Sequence, residues 1–255
     1  MGKLVGIVLS LAVLFTASPA LAQEFGQYDA DSYPKKLVKR PLLLAPSMFE
    51  VRFGGASNLF AGESFDAEDR FRSVIDFRYA VGTRFQFGAD SDLDAFPTDD
   101  FAVRNLSGWA EYNLVPTLSG RVGAYMVVPR DIDGDLDAKF GVRAGLPMKF
   151  RLGDNAAIVA NPSIALLDGD SIMETPVGVQ LNLMESFAVQ LDTGIETINF
   201  EFDDNDTADT WNMPLSFSAI LSLTRKIDAT VQFRFSDIAN ETKDRWILAF
   251  FAFRG

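Results

Sequence analysis

The chain has 255 residues, a net charge of −12, and neither cysteine nor histidine. That excludes a disulfide framework, and it removes imidazole as a general base or metal ligand. The acidic balance disfavours nucleic acid as a partner, and the length allows one large or two small domains.

Residues 1–22 carry the marks of a secretory signal peptide. Lys3 supplies the positive start, Leu4 to Phe15 is apolar apart from Gly6 and Ser10, and Ala20-Leu21-Ala22 fits a small-x-small cleavage site. The apolar run is shorter than the roughly 20 residues a membrane helix needs. Residues 23–46 form an extended leader with a basic cluster, Lys35, Lys36, Lys39 and Arg40. It reads as a periplasmic linker or a plug-like tail, with simple disorder as the alternative.

From residue 47 to 255 one unit recurs: an alternating segment, a short turn, another alternating segment, a long acidic loop. Twelve segments are expected, near 48–55, 72–81, 83–89, 103–115, 118–128, 138–151, 156–167, 174–183, 187–200, 211–223, 227–236 and 245–253. Most are close to the roughly 9–11 residues of a tilted membrane strand. In the sixth, Phe140, Val142, Ala144, Leu146, Met148 and Phe150 alternate with a face that carries Lys139, Arg143, Lys149 and Arg151. In the eleventh, Ala229, Val231, Phe233 and Phe235 alternate with Thr230, Gln232 and Arg234. A soluble β-sandwich also alternates. The membrane reading rests on one face that stays polar, another that stays large and apolar, and connections that alternate between short and long. The long connections are expected at 56–71, 90–102, 129–137, 168–173, 201–210 and 237–244. These loops and their flanking residues hold 24 of the 35 carboxylates but only five of the 23 basic residues.

The fold class is therefore all-β: an antiparallel up-and-down transmembrane β-barrel of about 12 strands. The chain resembles Gram-negative outer-membrane β-barrel proteins over residues 48 to 253. The most specific element is the last stretch, Trp246 to Phe253, where aromatic and apolar residues alternate to a near-terminal Phe. It departs from that pattern in one way, because Arg254 and Gly255 follow Phe253. The resemblance implies an outer-membrane location, contact with membrane lipid and lipopolysaccharide, and delivery by the outer-membrane assembly machinery. It leaves the oligomeric state open.

Enzymatic barrels of this class generally pair a histidine with a serine or carboxylate, and this chain has no histidine. Ser216, Ser218 and Ser222 share one face of the tenth segment, and Asp192 and Glu196 share one face of the ninth. Both sets read as a solvated lumen, so no enzyme is expected. Asp131, Asp133, Asp135 and Asp137 alternate around Gly134, a pattern that could fold several oxygens onto Ca2+ at an outer loop. No other cofactor is expected. The inward face gathers Arg78, Arg121, Lys139, Arg143 and Lys149, with Glu111, Asp192 and Glu196 as its acidic members. These are the candidate pore-lining residues. An open barrel so lined would be a passive channel for small solutes, with a preference for anions; a closed one would be a structural, adhesive or Ca2+-binding barrel.

In the last segment Ile247, Ala249, Phe251 and Phe253 are expected outward. That turns Trp246, Leu248 and Phe250 into a lumen otherwise polar, which implies that something covers that wall, with the leader as the candidate.

Overall fold

The computed structural model describes residues 26–58, 71–94, 102–128, 138–199, 211–239 and 245–255. They build one closed barrel of twelve antiparallel strands, as the alternation predicts. The first five are β1 (Phe49–Asn58), β2 (Phe71–Val81), β3 (Phe85–Asp94), β4 (Ala102–Val115) and β5 (Leu118–Val127). The next five each come in two pieces. They are β6 (Lys139–Gly145, Met148–Arg151), β7 (Ala156–Ala160, Ser163–Leu167) and β8 (Asp170–Glu174, Val177–Asn182), then β9 (Phe187–Thr193, Glu196–Ile198) and β10 (Trp211–Asn212, Leu215–Ser222). β11 (Ile227–Phe235) and β12 (Arg245–Arg254) complete the wall.

The interruptions line up across neighbouring strands and have a covalent cause. Pro147, Pro162, Pro176 and Pro214 stand in four of them, and each lacks the N–H a ladder needs. The neighbouring carbonyls still find donors: the Leu146 N–H donates to Pro162 O at 2.9 Å, and the Asn161 N–H to Pro176 O at 3.1 Å. The sheet bends there without opening.

Closure is the work of the last strand. β12 pairs with β11 on one side and β1 on the other, with Phe253 opposite Ile227 and Val51. Among the described strands no edge is left unpaired, the condition for a sheet to cross a lipid core. Past Phe253, the Gly255 carbonyl accepts from the Phe49 N–H at 2.9 Å, and the Gly255 N–H donates back at 3.2 Å. The two residues beyond the terminal Phe thus finish the seam.

One expected connection is wrong. The long loop placed at 168–173 is a two-residue turn, Asp168-Gly169, between Leu167 and Asp170. Both residues have positive φ, 52° and 95°, which is the type I′ hairpin that Asp-Gly favours. β8 consequently starts at Asp170 and not near 174.

The outer wall is apolar where a soluble protein would be polar. Phe53, Phe77, Phe87, Val122, Phe140, Val142, Leu166, Leu191, Phe217, Val231 and Phe251 all face out and are exposed, Phe140 by 72%. A continuous belt of this kind is stable against lipid and not against water. No described helix is long and apolar enough to cross a membrane, which says nothing about strands.

The leader lies inside the barrel. From Gly26 it crosses the end where the short turns are, through a 3-10 turn at Leu37–Lys39, and enters β1 at Ser47, whose φ is 63°. Its Tyr33, Leu44 and Ala45 bury against Met48 and Ala80, the one apolar core cluster among the described residues.

Candidate functional site

The alternation of each strand fixes which side chains enter the lumen. Arg78, Glu111, Arg121, Lys139, Arg143, Lys149, Asp192 and Glu196 are all on the inward face, in register with one another through the ladder. They do not form a basic wall opposite an acidic one. Each arginine finds a carboxylate along its own stretch of wall. Arg121 chelates Glu111 on the adjacent strand at 2.6 and 3.0 Å, Arg78 meets Glu50 at 2.7 Å, and Arg143 meets Glu174 at 3.0 Å. Lys139 pairs with Asp168 at 3.1 Å and Arg234 with Glu196 at 3.7 Å. Arg52 pairs with Asp76 in the same way. Asp192 accepts from Gln190 at 2.7 Å and from Ser216 at 3.3 Å. These pairs run along the wall and not across it.

Lys149 is different. Its ammonium group donates to the Leu37 carbonyl of the leader at 2.7 Å. The leader reaches the wall at many other points. The Val38 N–H donates to Asn182 Oδ1 at 2.8 Å, the Leu44 N–H to Gln86 Oε1 at 3.2 Å, and Lys36 to Asn155 Oδ1 at 2.8 Å. The strongest tie is Arg40. It forks onto Asp228 of β11 at 2.5 and 2.9 Å, and it also donates to Ser222 at 2.8 Å. Asp228 in turn accepts from Arg254 at 2.5 Å, Arg254 also bonds Glu50, and Glu50 accepts from Arg78 at 2.9 Å. One alternating chain of charge, Arg40–Asp228–Arg254–Glu50–Arg78, therefore runs from leader to β11, β12, β1 and β2. Tyr33 lies on it, with the Arg40 and Arg254 guanidinium carbons 5.9 and 5.7 Å from its ring centre. Burial pushes the Tyr33 phenol up, against the pull of Arg254, Arg78 and Arg40 and helped by Glu50.

Arginines lie over the inward aromatics. Arg72 lies over Trp246 at 4.9 Å and Arg52 over Phe250 at 5.0 Å. Higher on the opposite wall, Arg121 lies over Trp109 at 4.4 Å and Arg143 over Tyr125 at 5.4 Å. Each ring rests where its neighbour has no side chain. A Cβ on Gly88 would meet Trp109 at 2.4 Å, one on Gly123 would meet it at 2.9 Å, and one on Gly141 would meet Tyr125 at 2.6 Å. Flat rings under flat guanidinium groups line the wall without crossing the bore.

Among the described residues, two chambers adjoin one another inside the wall. One, of about 430 Å3, is bounded by Glu50, Arg52, Asp76, Arg78, Asp90, Trp109 and Arg121. The other, of about 240 Å3, runs from Asp90 and Trp109 past Tyr125 and Arg143 to Asn161. They share Asp90, Trp109 and Arg121 as a common partition.

Asp131, Asp133, Asp135 and Asp137 lie outside the described residues, and so does the long acidic loop that carries them. Among the described residues no cluster of three or more acidic groups is arranged to hold a metal. Reading the sequence missed Tyr33, Trp109, Tyr125, Asp228 and Arg254. Arg254 had a signal, since it breaks the terminal-Phe pattern.

No protein-family model and no curated protein matches the sequence. Solved structures do match in fold. The KdgM porin in complex with disordered oligogalacturonate superposes with a TM-score of 0.55 at 5% identity, over 80% of this chain and 98% of that one. The NanC porin gives 0.53 at 10% identity over 80% and 98%. The COG4313 outer membrane channel from Pseudomonas putida F1 gives 0.50 at 13% identity over 90% and 100%. The chain has the fold of the outer-membrane β-barrels.

Proposed function

We propose that the protein is a passive outer-membrane channel for small solutes, held shut at its turn end by its own leader. The observation that carries this reading is the pair of chambers inside the barrel, bounded by charged residues that include Glu50, Arg52, Asp76, Arg78, Asp90, Arg121 and Arg143. The chambers beside Trp109 and Arg121 persist because the charges pair along the wall. A barrel built only for support would gain stability by filling that volume with side chains. No catalytic group is required, and the fold is shared with proteins described as porins and channels.

A preference for anions would rest on Arg78, Arg121, Lys139, Arg143 and Lys149. Four of these five already face a carboxylate, which weakens the field a passing anion would feel. At the turn end Lys149 and Lys36 meet neutral acceptors, the Leu37 carbonyl and Asn155 Oδ1, whereas Lys39 and Arg40 of the leader face Asp154 and Asp228. With residues 1–22 removed as a signal peptide, the leader would be the start of the mature chain, and the turn end would face the periplasm.

The stopper supports a second reading, a closed barrel whose acidic outer loops bind Ca2+ or surface polysaccharide. Single-channel recording in a planar bilayer separates the two. The first expects steps whose open probability rises when Arg40 is replaced by alanine. Silence from both folded proteins would sink it. For the second, a Ca2+ titration should lose its response in Asp133→Ala and Asp135→Ala.

A further inference from the structure

The 240 Å3 chamber is more than a gap. Three of its lining residues, Asn105, Tyr125 and Asn161, each carry a buried polar atom with no partner: Asn105 Oδ1, the Tyr125 hydroxyl and Asn161 Oδ1. Buried polar atoms are ordinarily satisfied, and leaving one unpaired is costly. Three around one chamber are a set. They come from β4, from β5 and from the Asn161-Pro162 interruption of β7, and the consecutive pairing of β4, β5, β6 and β7 brings them to one chamber.

The rest of the lining is ordered around them. Gly88 and Gly123 let the Trp109 ring lie against the wall, and Gly141 does the same for Tyr125. Arg121 and Arg143 stack on these rings and are held from behind by Glu111 and Glu174. Asp90 accepts the Ser107 hydroxyl at 2.5 Å. Guanidinium donors, two amide acceptors, a phenol and a carboxylate thus alternate around one small volume.

We infer that this chamber is a binding station for a neutral, hydroxyl-rich solute, a polyol or a single sugar unit, with Asn105, Tyr125 and Asn161 as the residues that select it. The inference rests on the channel reading and assigns the solute class of that same lumen. A hydroxyl group both donates and accepts, so a solute rich in hydroxyls can meet the donors and the acceptors of this wall together. A free anion is the poorer match, because both arginines are already neutralised and Asp90 would repel it. An apolar solute would leave all three atoms unpaired.

The test uses the full mature chain, folded in detergent, with Trp211→Phe and Trp246→Phe so that Trp109 is the sole tryptophan. Its fluorescence is titrated with D-glucose, myo-inositol and D-gluconate. A saturable response to glucose or inositol, weaker for gluconate, is expected. Tyr125→Phe, Asn105→Leu and Asn161→Leu should each raise the apparent dissociation constant by roughly fivefold or more. Gluconate binding more tightly than glucose, or no saturable response to any probe, would overturn the proposal. That comparison is made on a chain with all three residues intact, so it stands even if a variant misfolds. Saturable binding by a protein that never conducts would instead remove the channel reading and leave the station in place. Conduction without saturable binding would do the reverse.

Discussion

Arg40 and Asp228 are 188 positions apart in the chain, yet the guanidinium of one forks onto the carboxylate of the other at 2.5 and 2.9 Å inside the barrel mouth. Bidentate pairs of this kind are geometrically demanding, and both partners are almost wholly buried. Removing one member of a buried pair costs about 3–5 kcal/mol, mainly because the other charge is left uncompensated. Asp228 keeps Arg254 after Arg40 is lost. The penalty of Arg40→Ala therefore falls on leader docking and spares the wall. Trypsin should cut the leader of Arg40→Ala at Lys35, Lys36 and Lys39 faster than in the parent, while heat-modifiable gel migration stays unchanged. Equal cleavage rates would show that Arg40 does not hold the leader.

Asp228→Asn is a different perturbation. It weakens Arg40 and Arg254 together, so both the leader and the seam between β11, β12 and β1 should loosen. The folded fraction seen by gel migration should fall in this variant and not in Arg40→Ala. A leader-only phenotype would mean that Arg254 draws its support from Glu50 alone.

Much of this architecture can be read from residue order, and the parts that cannot share a physical reason. Alternation sets the face of a side chain, so Arg121, Arg143 and Glu111 are correctly placed inward from sequence. Alternation does not set its neighbours, because those depend on register between strands far apart in the chain. Arg40 meeting Asp228 is invisible for that reason. Trp246 and Phe250 look misplaced in a polar lumen because the arginines that lie over them, Arg72 and Arg52, sit on other strands. The Asp168-Gly169 turn, in contrast, was legible. Its dipeptide favours a tight hairpin, but its position in an acidic stretch drew it into a long loop. The stretch from Trp246 to Phe253 was read correctly as the closing strand, and Arg254 looked like a blemish on it only because its partners, Asp228 and Glu50, belong to β11 and β1.

Removing Arg254 and Gly255 tests that last point. The deletion takes away the two backbone hydrogen bonds to Phe49 and the side chain that joins Glu50 to Asp228. The terminal Phe253, stacked on Phe53 at 5.7 Å, remains. Loss of a buried, doubly bonded arginine should cost about 3–5 kcal/mol. The truncated chain should still be assembled but should lose its heat-modifiable form at a lower temperature or urea concentration. An unchanged transition would assign closure to the aromatic seam alone.

The leader should also respond to alkali through Tyr33. Burial raises its phenol above the ordinary value of 10.0. A group whose docked-state pKa is raised favours docking fully below its free value, and that contribution is lost as pH rises through the docked value. Arg254, Arg78, Arg40 and Glu50 face it. Leader release, read by a cysteine-reactive dye on a Val38→Cys variant, a position fully buried in the docked leader, should therefore increase above about pH 10. Adding Tyr33→Phe should reduce that increase while leaving the neutral-pH signal close to the parent's. A pH profile identical in both proteins would remove Tyr33 from the docking equilibrium.

Locking the leader gives the most direct access to its role. The Val38 N–H donates to Asn182 Oδ1 at 2.8 Å, so these two backbones run close together at the turn end. The chain has no cysteine of its own, and a Val38→Cys, Asn182→Cys pair would be the only thiols present. Oxidised, the pair ties the leader to β8 and closes a long loop, which typically stabilises by about 2–4 kcal/mol. Single-channel steps should be absent from the oxidised protein and appear on adding dithiothreitol to the bath. The single variants should conduct equally with and without reductant. Equal conductance of the oxidised and reduced double variant, with the disulfide verified by mass, would mean that solutes pass beside the leader and that it is a lining and not a stopper.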